Sequence, residues 1–211
     1  MVPWCDLFVM SSPDSALDIE FPYFVEAILI ERKLKILVKD IGFQDQLRNK
    51  GFGEKQDSEY ILQPYEALYL IHTKRLVLST KKVKHIDFES LLNITLRSDK
   101  EILTKFLIYR DLRSRGYVAK EGFGFGVDFR LYERGEFEKK PARYVVFGIN
   151  EGIQVEATDF SEALDQIIKM GKNAVVAVIE RRGEITYYKV SKVRFANNKM
   201  YPKPRSKTSE E

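Results

Sequence analysis

YRDLRSRGYVAKEGFGFGVDFRLYERG, residues 109–135, decides how this chain is read. Its first residues close a helix. Ser98 and Glu101 stand as S-x-x-E ahead of ILTKFLIYRDLRSRG, a capping-box pattern, and Ile102, Leu103, Phe106 and Leu107 give a wide apolar stripe. Gly116 is the expected stop. YVAKE then reads as a strand. FGVDFRLYERG alternates, with Val127, Phe129 and Leu131 pointing one way and Asp128, Arg130 and Tyr132 the other. Between them lie glycines 122, 124 and 126, whose spacing is not that of a dinucleotide or phosphate-binding loop and which lead into a strand instead of a helix. They read as a tight turn.

Downstream, ARYVVFGI predicts a central strand. Asp159 and Glu162 predict the cap of a helix carrying Phe160, Ala163, Leu164, Ile167 and Ile168 on one face, ended by Gly171. AVVAVIE and EITYYKVSKVRF predict two strands joined by the polar turn Glu180-Arg181-Arg182-Gly183-Glu184. Upstream, FVEAILIERKLKILVKD reads as two β-rich runs about Glu31-Arg32-Lys33, and DQLRNKGFGEKQDSE reads as a loop. QPYEALYLIHT predicts a helix with Pro64 in its first turn and Ala67, Leu68 and Ile71 on one face. RLVLS is a short strand, and IDFESLLN a helix capped by Asp87. The fold class is therefore α+β: a small N-terminal α+β domain over residues 1–97, then a C-terminal mixed-sheet domain over 98–196. Residues 197–211 have too few apolar side chains to pack and predict a mobile tail.

Composition narrows the function. With 44% apolar and 31% charged residues among 211, the chain can bury a core, which excludes wholesale disorder. No apolar run approaches the ~20 residues of a membrane span, and the N-terminus lacks the basic stretch of a secretory leader. The expectation is a soluble, cytoplasmic protein. Cys5 is a lone cysteine and His72 and His85 are the only histidines, so neither a disulfide nor a Cys/His metal centre is expected. A net charge of +4 is compatible with a polyanionic partner without requiring one.

Residue types alone leave the chemistry open. Asp128, Glu138 and Lys140 loosely match the acid…E-x-K set of metal-dependent nucleases, against the plain reading of a solvated loop. Tyr132 falls on the polar side of its strand, where a rim residue is ordinary. Lys172 follows the Gly171 stop, where a cation suits a helix C-terminus.

The quoted stretch resembles the signature of the archaeal tRNA-intron (tRNA-splicing) endonuclease family. There a helix with Y-x-D-L-R-x-R-G leads through a glycine-containing turn to G-x-D-F-x-x-Y. The resemblance continues through ARYVVFGI, GKNAVVAVIE and GEITYYKV, and QPYEALYLI is similar to the family's N-terminal helix, so it covers roughly residues 45–192. It implies a nuclease-like C-terminal fold and a cofactor-free cleavage of precursor tRNA at bulge-helix-bulge junctions. In that reaction a 2′-hydroxyl attacks the adjacent phosphate, leaving a 2′,3′-cyclic phosphate and a 5′-hydroxyl. The family's tyrosine base falls on Tyr132 and its charge-stabilising lysine on Lys172.

The family's third group does not carry over. Its histidine acid stands three residues before the tyrosine that opens the next strand, here Tyr144, and that position is Pro141. Neither Lys140 nor Ala142 replaces an imidazole. An arginine that the family often places seven residues before the lysine is here Asp165, which repels phosphate and cannot stack as guanidinium does. The chain thus resembles the structural subunit of crenarchaeal heterotetramers, which implies a homologous catalytic subunit and precursor tRNA as partners. An active endonuclease subunit is the alternative. The family's assembly features fall on the turn acids Glu180 and Glu184 and on the C-terminal strand with Tyr187, Tyr188 and Val190, as interface candidates. A solvent-exposed hairpin turn is the plain reading of 180–184.

Overall fold

The computed structural model describes residues 24–193. The expected tail at 197–211 and Cys5 lie outside them. Strand β1 (Val25–Ile30) turns through a 3-10 segment, Glu31–Lys33, into β2 (Lys35–Val38), as the two β-rich runs predict. Beyond them stand α1 (Ile41–Asn49), β3 (Glu54–Gln56), β4 (Glu59–Leu62), α2 (Pro64–His72), β5 (Leu76–Ser79) and α3 (Phe88–Leu96). The five strands order as β3-β4-β2-β1-β5, with β1 and β5 parallel and the other pairs antiparallel.

Residues 45–59 are not the expected loop: they hold the end of α1, all of β3 and the start of β4. Asp40 caps α1 by accepting from the Phe43 N–H at 2.9 Å, and Leu47, fully buried, anchors it. Two apolar side chains one turn apart, Phe43 and Leu47, suffice because Gln44 Nε2 also donates to the Val38 carbonyl at 2.8 Å. Helix α2 starts at Pro64 behind a reciprocal cap in which Gln63 and Glu66 each satisfy the other's backbone N–H. Tyr65 through Leu70 are all buried, so this helix is surrounded and has no single apolar face.

The C-terminal half comprises α4 (Ile102–Ser114), β6 (Val118–Gly124), β7 (Val127–Tyr132), β8 (Tyr144–Asn150), α5 (Ala157–Lys169), β9 (Asn173–Ile179) and β10 (Ile185–Val190). Its sheet orders as β10-β9-β8-β7-β6, mixed because only β8 and β9 are parallel. The fold is α+β with two mixed sheets, and ARYVVFGI supplies the central strand. Period-two alternation sorts the sheet's two faces. Tyr144, Val146, Val175 and Ala177 join the core shared with the N-terminal half, while Val145, Phe147, Ala174 and Val176 pack with Leu164 and Ile167 of α5.

Two caps differ from expectation. Glu101 is the residue preceding α4, but no side chain of a Ser98–Glu101 box closes it; Asp99 accepts from the Glu101 N–H at 2.9 Å and takes Lys105 at 2.8 Å. Ser98 instead donates to the Thr95 carbonyl at the end of α3. Helix α5 begins at Ala157, so Asp159 sits inside the first turn, where a carboxylate suits the helix dipole, and Glu156 holds the cap position. Ile168 is exposed, off the α5 core face. At the β6–β7 turn the reason for glycine is a close approach: a Cβ on Gly122 would stand 1.8 Å from the Val127 carbonyl oxygen.

The two halves share one core. Phe52, Tyr65 and Tyr69 from the N-terminal half meet Tyr109 and Phe129 from the C-terminal half, with ring centroids 5.0–6.5 Å apart. Arg113 of α4 lies over the Phe52 ring and donates to the Lys50 carbonyl at 2.9 Å.

Candidate active site

Three strand ends meet at one edge of the C-terminal sheet. Leu131 pairs with Tyr144, and Tyr144 pairs with Asn173, so the end of β7 and the starts of β8 and β9 lie side by side. Tyr132 is the last residue of β7, Lys172 directly precedes β9, and Pro141 lies on the loop three residues before β8. The sheet therefore gathers the three positions that the motif singles out, although 40 residues of sequence separate the outer two.

Residues 133–143 connect β7 to β8 as a turn-rich loop. Glu136 N–H donates to the Glu133 carbonyl at 3.0 Å, Lys139 N–H to the Glu136 carbonyl at 3.0 Å, and Arg143 N–H to the Leu131 carbonyl at 3.2 Å. Lys140 pairs with Glu136, and Arg143 with Glu133. The ring of Phe137 meets that of Tyr132 edge-on at 5.2 Å. Half-buried Lys172 reaches across from the start of β9 and donates through Nζ to the Ala142 carbonyl at 2.8 Å. Pro141, exposed, precedes that buried alanine. The lysine expected to face a phosphate thus holds the loop that carries the proline.

Neither imidazole belongs to this edge. His72 ends α2, with its ring 5.9 Å from Phe106 and 6.1 Å from Phe88; burial and then Arg110 hold its pKa below the usual histidine value. His85 is exposed on the loop between β5 and α3. Asp165 lies on α5 and takes Lys192 at 2.6 Å.

The acid…E-x-K reading does not assemble. Asp128 is partly buried and accepts from the Gly148 N–H at 2.6 Å, with its pKa raised mainly by burial. Glu138 is exposed on the 133–143 loop and Lys140 is bound to Glu136. Among the described residues no three His, Cys, Asp or Glu side chains come together as a metal-binding group.

The interface candidates divide. Glu180 and Glu184 are exposed, and the turn between them closes through the Glu180 N–H donating to the Glu184 carbonyl at 2.9 Å. β10 is an edge strand. Tyr188 is 55% exposed and Val190 half-buried, whereas Tyr187 turns inward and donates to Asp111 at 2.7 Å, beneath Arg115. Burial, then Asp111, raises the Tyr187 hydroxyl well above the usual tyrosine value. A cavity of about 520 Å³, lined by Phe125, Phe147, Val155, Phe160 and Gln166, lies against the later residues of β8, Phe147 to Ile149, and takes in none of these side chains.

One buried polar cluster was not legible in sequence. Lys120 of β6 donates to the Gly53 carbonyl at 2.7 Å and to Glu66 at 3.2 Å, and Glu66 accepts from Gly53 and Gln63 N–H groups at 3.0 and 2.9 Å. This buried charge pair ties the C-terminal sheet to α2. Its partners are 54 residues apart, and a lysine in a charged stretch gives no signal that it is buried.

Comparison with known proteins agrees with this architecture. The family described as tRNA intron endonuclease, catalytic C-terminal domain, matches residues 102–187, and its N-terminal domain matches residues 29–92, earlier than the start near 45 that the motifs suggest. A tRNA-splicing endonuclease of Methanococcus vannielii is 32% identical over 154 residues, covering 73% of this chain and 87% of that protein. Those of Thermococcus gammatolerans and Methanothermobacter thermautotrophicus are each 32% identical, covering 68% and 75% of this chain and 84% and 93% of theirs. With both domains matched in order, and relatives 32% identical over most of their length, the chain belongs to the tRNA-intron endonuclease family.

Proposed function

We propose that this chain is a structural subunit of a tRNA-splicing endonuclease. It would assemble with a homologous catalytic subunit, as a heterotetramer in the cytoplasm, and position precursor tRNA at its bulge-helix-bulge junctions without a cofactor of its own. The observation that carries the reading is Pro141 at the acid's position, on a strand edge to which neither His72 nor His85 belongs. Cleavage by 2′-hydroxyl attack forms the O2′–P bond, breaks the P–O5′ bond and requires a proton on the departing O5′. Losing a positioned acid costs on the order of 10²–10⁴ in rate. The hydrogen bond from Lys172 to Ala142 supports the same reading, since it gives that lysine a task in holding the loop.

The test is direct. The purified chain, in EDTA, leaves a bulge-helix-bulge RNA uncut, and mixing it with a homologue that has histidine at the position of Pro141 restores cutting. Tyr132→Phe leaves the rate of that mixed complex unchanged. Cleavage by the lone chain, or loss of cleavage in the Tyr132→Phe complex, instead identifies an active subunit.

A further inference from the structure

Two basic turns emerge from the same end of the N-terminal sheet. β1 and β5 are adjacent and parallel, with Ser79 opposite Ile28. The loop after β5 therefore leaves the sheet at the level where β1 runs into its own turn, and adjacent strands are only about 4.8 Å apart. The first turn carries Arg32 and Lys33, and the second Lys81, Lys82 and Lys84. All five side chains are exposed, and none is within ion-pair distance of a carboxylate among the described residues. The acids adjoining these turns are Glu31 in the first turn, Glu26 on β1, Asp87, used as the cap of α3, and Glu89 in the first turn of α3, while Glu59 is paired with Lys35.

Both turns are internally fixed. Thr80 N–H donates to the Val83 carbonyl at 2.8 Å, and its hydroxyl oxygen accepts from the N–H groups of Lys82 and Val83 at 3.2 and 2.9 Å. Ile86 N–H returns to the Leu78 carbonyl at 2.8 Å, and Ile86 is buried. The other turn is a 3-10 segment closed by Leu34 in a left-handed conformation (φ 48°). Backbone order of this kind sets the lysines' starting points before any ligand arrives, which lowers the entropy cost of binding.

We infer that this rim, Arg32, Lys33, Lys81, Lys82 and Lys84, is a phosphate-backbone contact surface for the body of precursor tRNA. A protein partner fits less well, because lysine is depleted in protein interfaces and Val83 is the one large apolar side chain exposed among these turns. Contacts of this type add affinity and orientation but read no sequence. The inference rests on the proposal that the chain handles precursor tRNA, but it concerns a surface remote in sequence from the strand edge of Tyr132.

The experiment uses the assembled complex and a radiolabelled precursor tRNA. The affinity of wild type and of the variant R32A/K33A/K81A/K82A/K84A is measured from 50 to 300 mM KCl. Each phosphate contact contributes about 0.7–0.9 to the slope of log affinity against log salt. The variant should lose about 3.5 to 4.5 from that slope, cut at unchanged positions, and melt within a degree or two of wild type. The all-arginine and all-lysine versions of the rim should keep the wild-type slope. A slope unchanged to within 0.5 overturns the inference. So does a folded variant that no longer joins its partner subunit, which would mark the rim as a protein interface. Cleavage by the lone chain would overturn the structural-subunit proposal and leave the salt measurement readable, so the two failures are distinct.

Discussion

Replacing Lys120 with Met tests what holds the two halves in register. Met fills much of the lysine stem's volume but removes the ammonium, whose side chain is 9% exposed, from beside a Glu66 side chain that is 0% exposed. Breaking a buried pair by removing one partner costs about 3–5 kcal/mol, because the remaining charge is uncompensated. Here the carboxylate keeps two backbone N–H donors, from Gly53 and Gln63, which places the charge term at the lower end. The Gly53 carbonyl also loses its donor, worth about 1 kcal/mol. The expected loss is therefore about 3–4 kcal/mol. At roughly 2–4 °C per kcal/mol for a chain of this size, Tm falls by roughly 6–16 °C. The double variant Glu66→Gln/Lys120→Met should recover most of this. A glutamine oxygen can accept both N–H groups, and its amide nitrogen can donate to the Gly53 carbonyl. Urea midpoints and thermal melts of the three proteins decide it. A single variant within 1 kcal/mol of wild type, or a double variant no better than the single, refutes the account of this pair as the tie between α2 and β6.

Three further outcomes follow from the same geometry. Gly122→Ala should destabilise by at least 1–3 kcal/mol in urea, since its Cβ meets the Val127 backbone, which cannot rotate aside as a side chain could. Asp128→Asn should melt higher than wild type at pH 7. Burial raises the folded-state pKa of Asp128 above its unfolded value near 3.8, so its ionisation costs stability as pH rises through the folded value. The gap should close as pH falls towards 3.8, and a gap that widens on acidification contradicts the sign. Lys172→Ala should lower stability by about 1–2 kcal/mol and raise backbone hydrogen exchange within residues 133–143, because it frees the Ala142 carbonyl.

Most strands were legible because apolar and polar residues alternate on a half-buried sheet, as Val127, Phe129 and Leu131 do with Asp128, Arg130 and Tyr132. Helix α1 was not, since six of its nine residues are polar or glycine, Ile41 is exposed, and its stability comes from the Asp40 cap, Gln44 and the deep burial of Leu47. The Asp40 cap and the glycine at position 51 were the available signals. The helix at Ile102 starts where ILTKF predicts, but its cap was misassigned, and the helix expected from 159–162 starts earlier, at Ala157, because S-x-x-E-like pairs fit several registers. The site's three positions came from motif resemblance. Their side-by-side placement depends on β8 and β9 pairing in parallel across a helix, which no local pattern encodes.

Retention of Tyr132 and Lys172 looks at first like evidence for catalysis, because two of three family groups remain. The contacts weigh against that inference. An ammonium that acts on phosphate needs its donors aimed at the substrate, whereas Lys172 directs one of them to the Ala142 carbonyl, beside Pro141. Ala142 is 5% exposed, and a buried carbonyl without a donor carries a desolvation cost of about 1–3 kcal/mol. The ion pairs of the 133–143 loop, Glu136 with Lys140 and Glu133 with Arg143, lie within the loop, so the lysine is a tether from a different strand. Tyr132 likewise has a packing partner in Phe137. Each of the two side chains therefore has a structural contact that does not depend on catalysis. On the proposal of a structural subunit, these contacts account for both side chains without assigning either a part in cleavage.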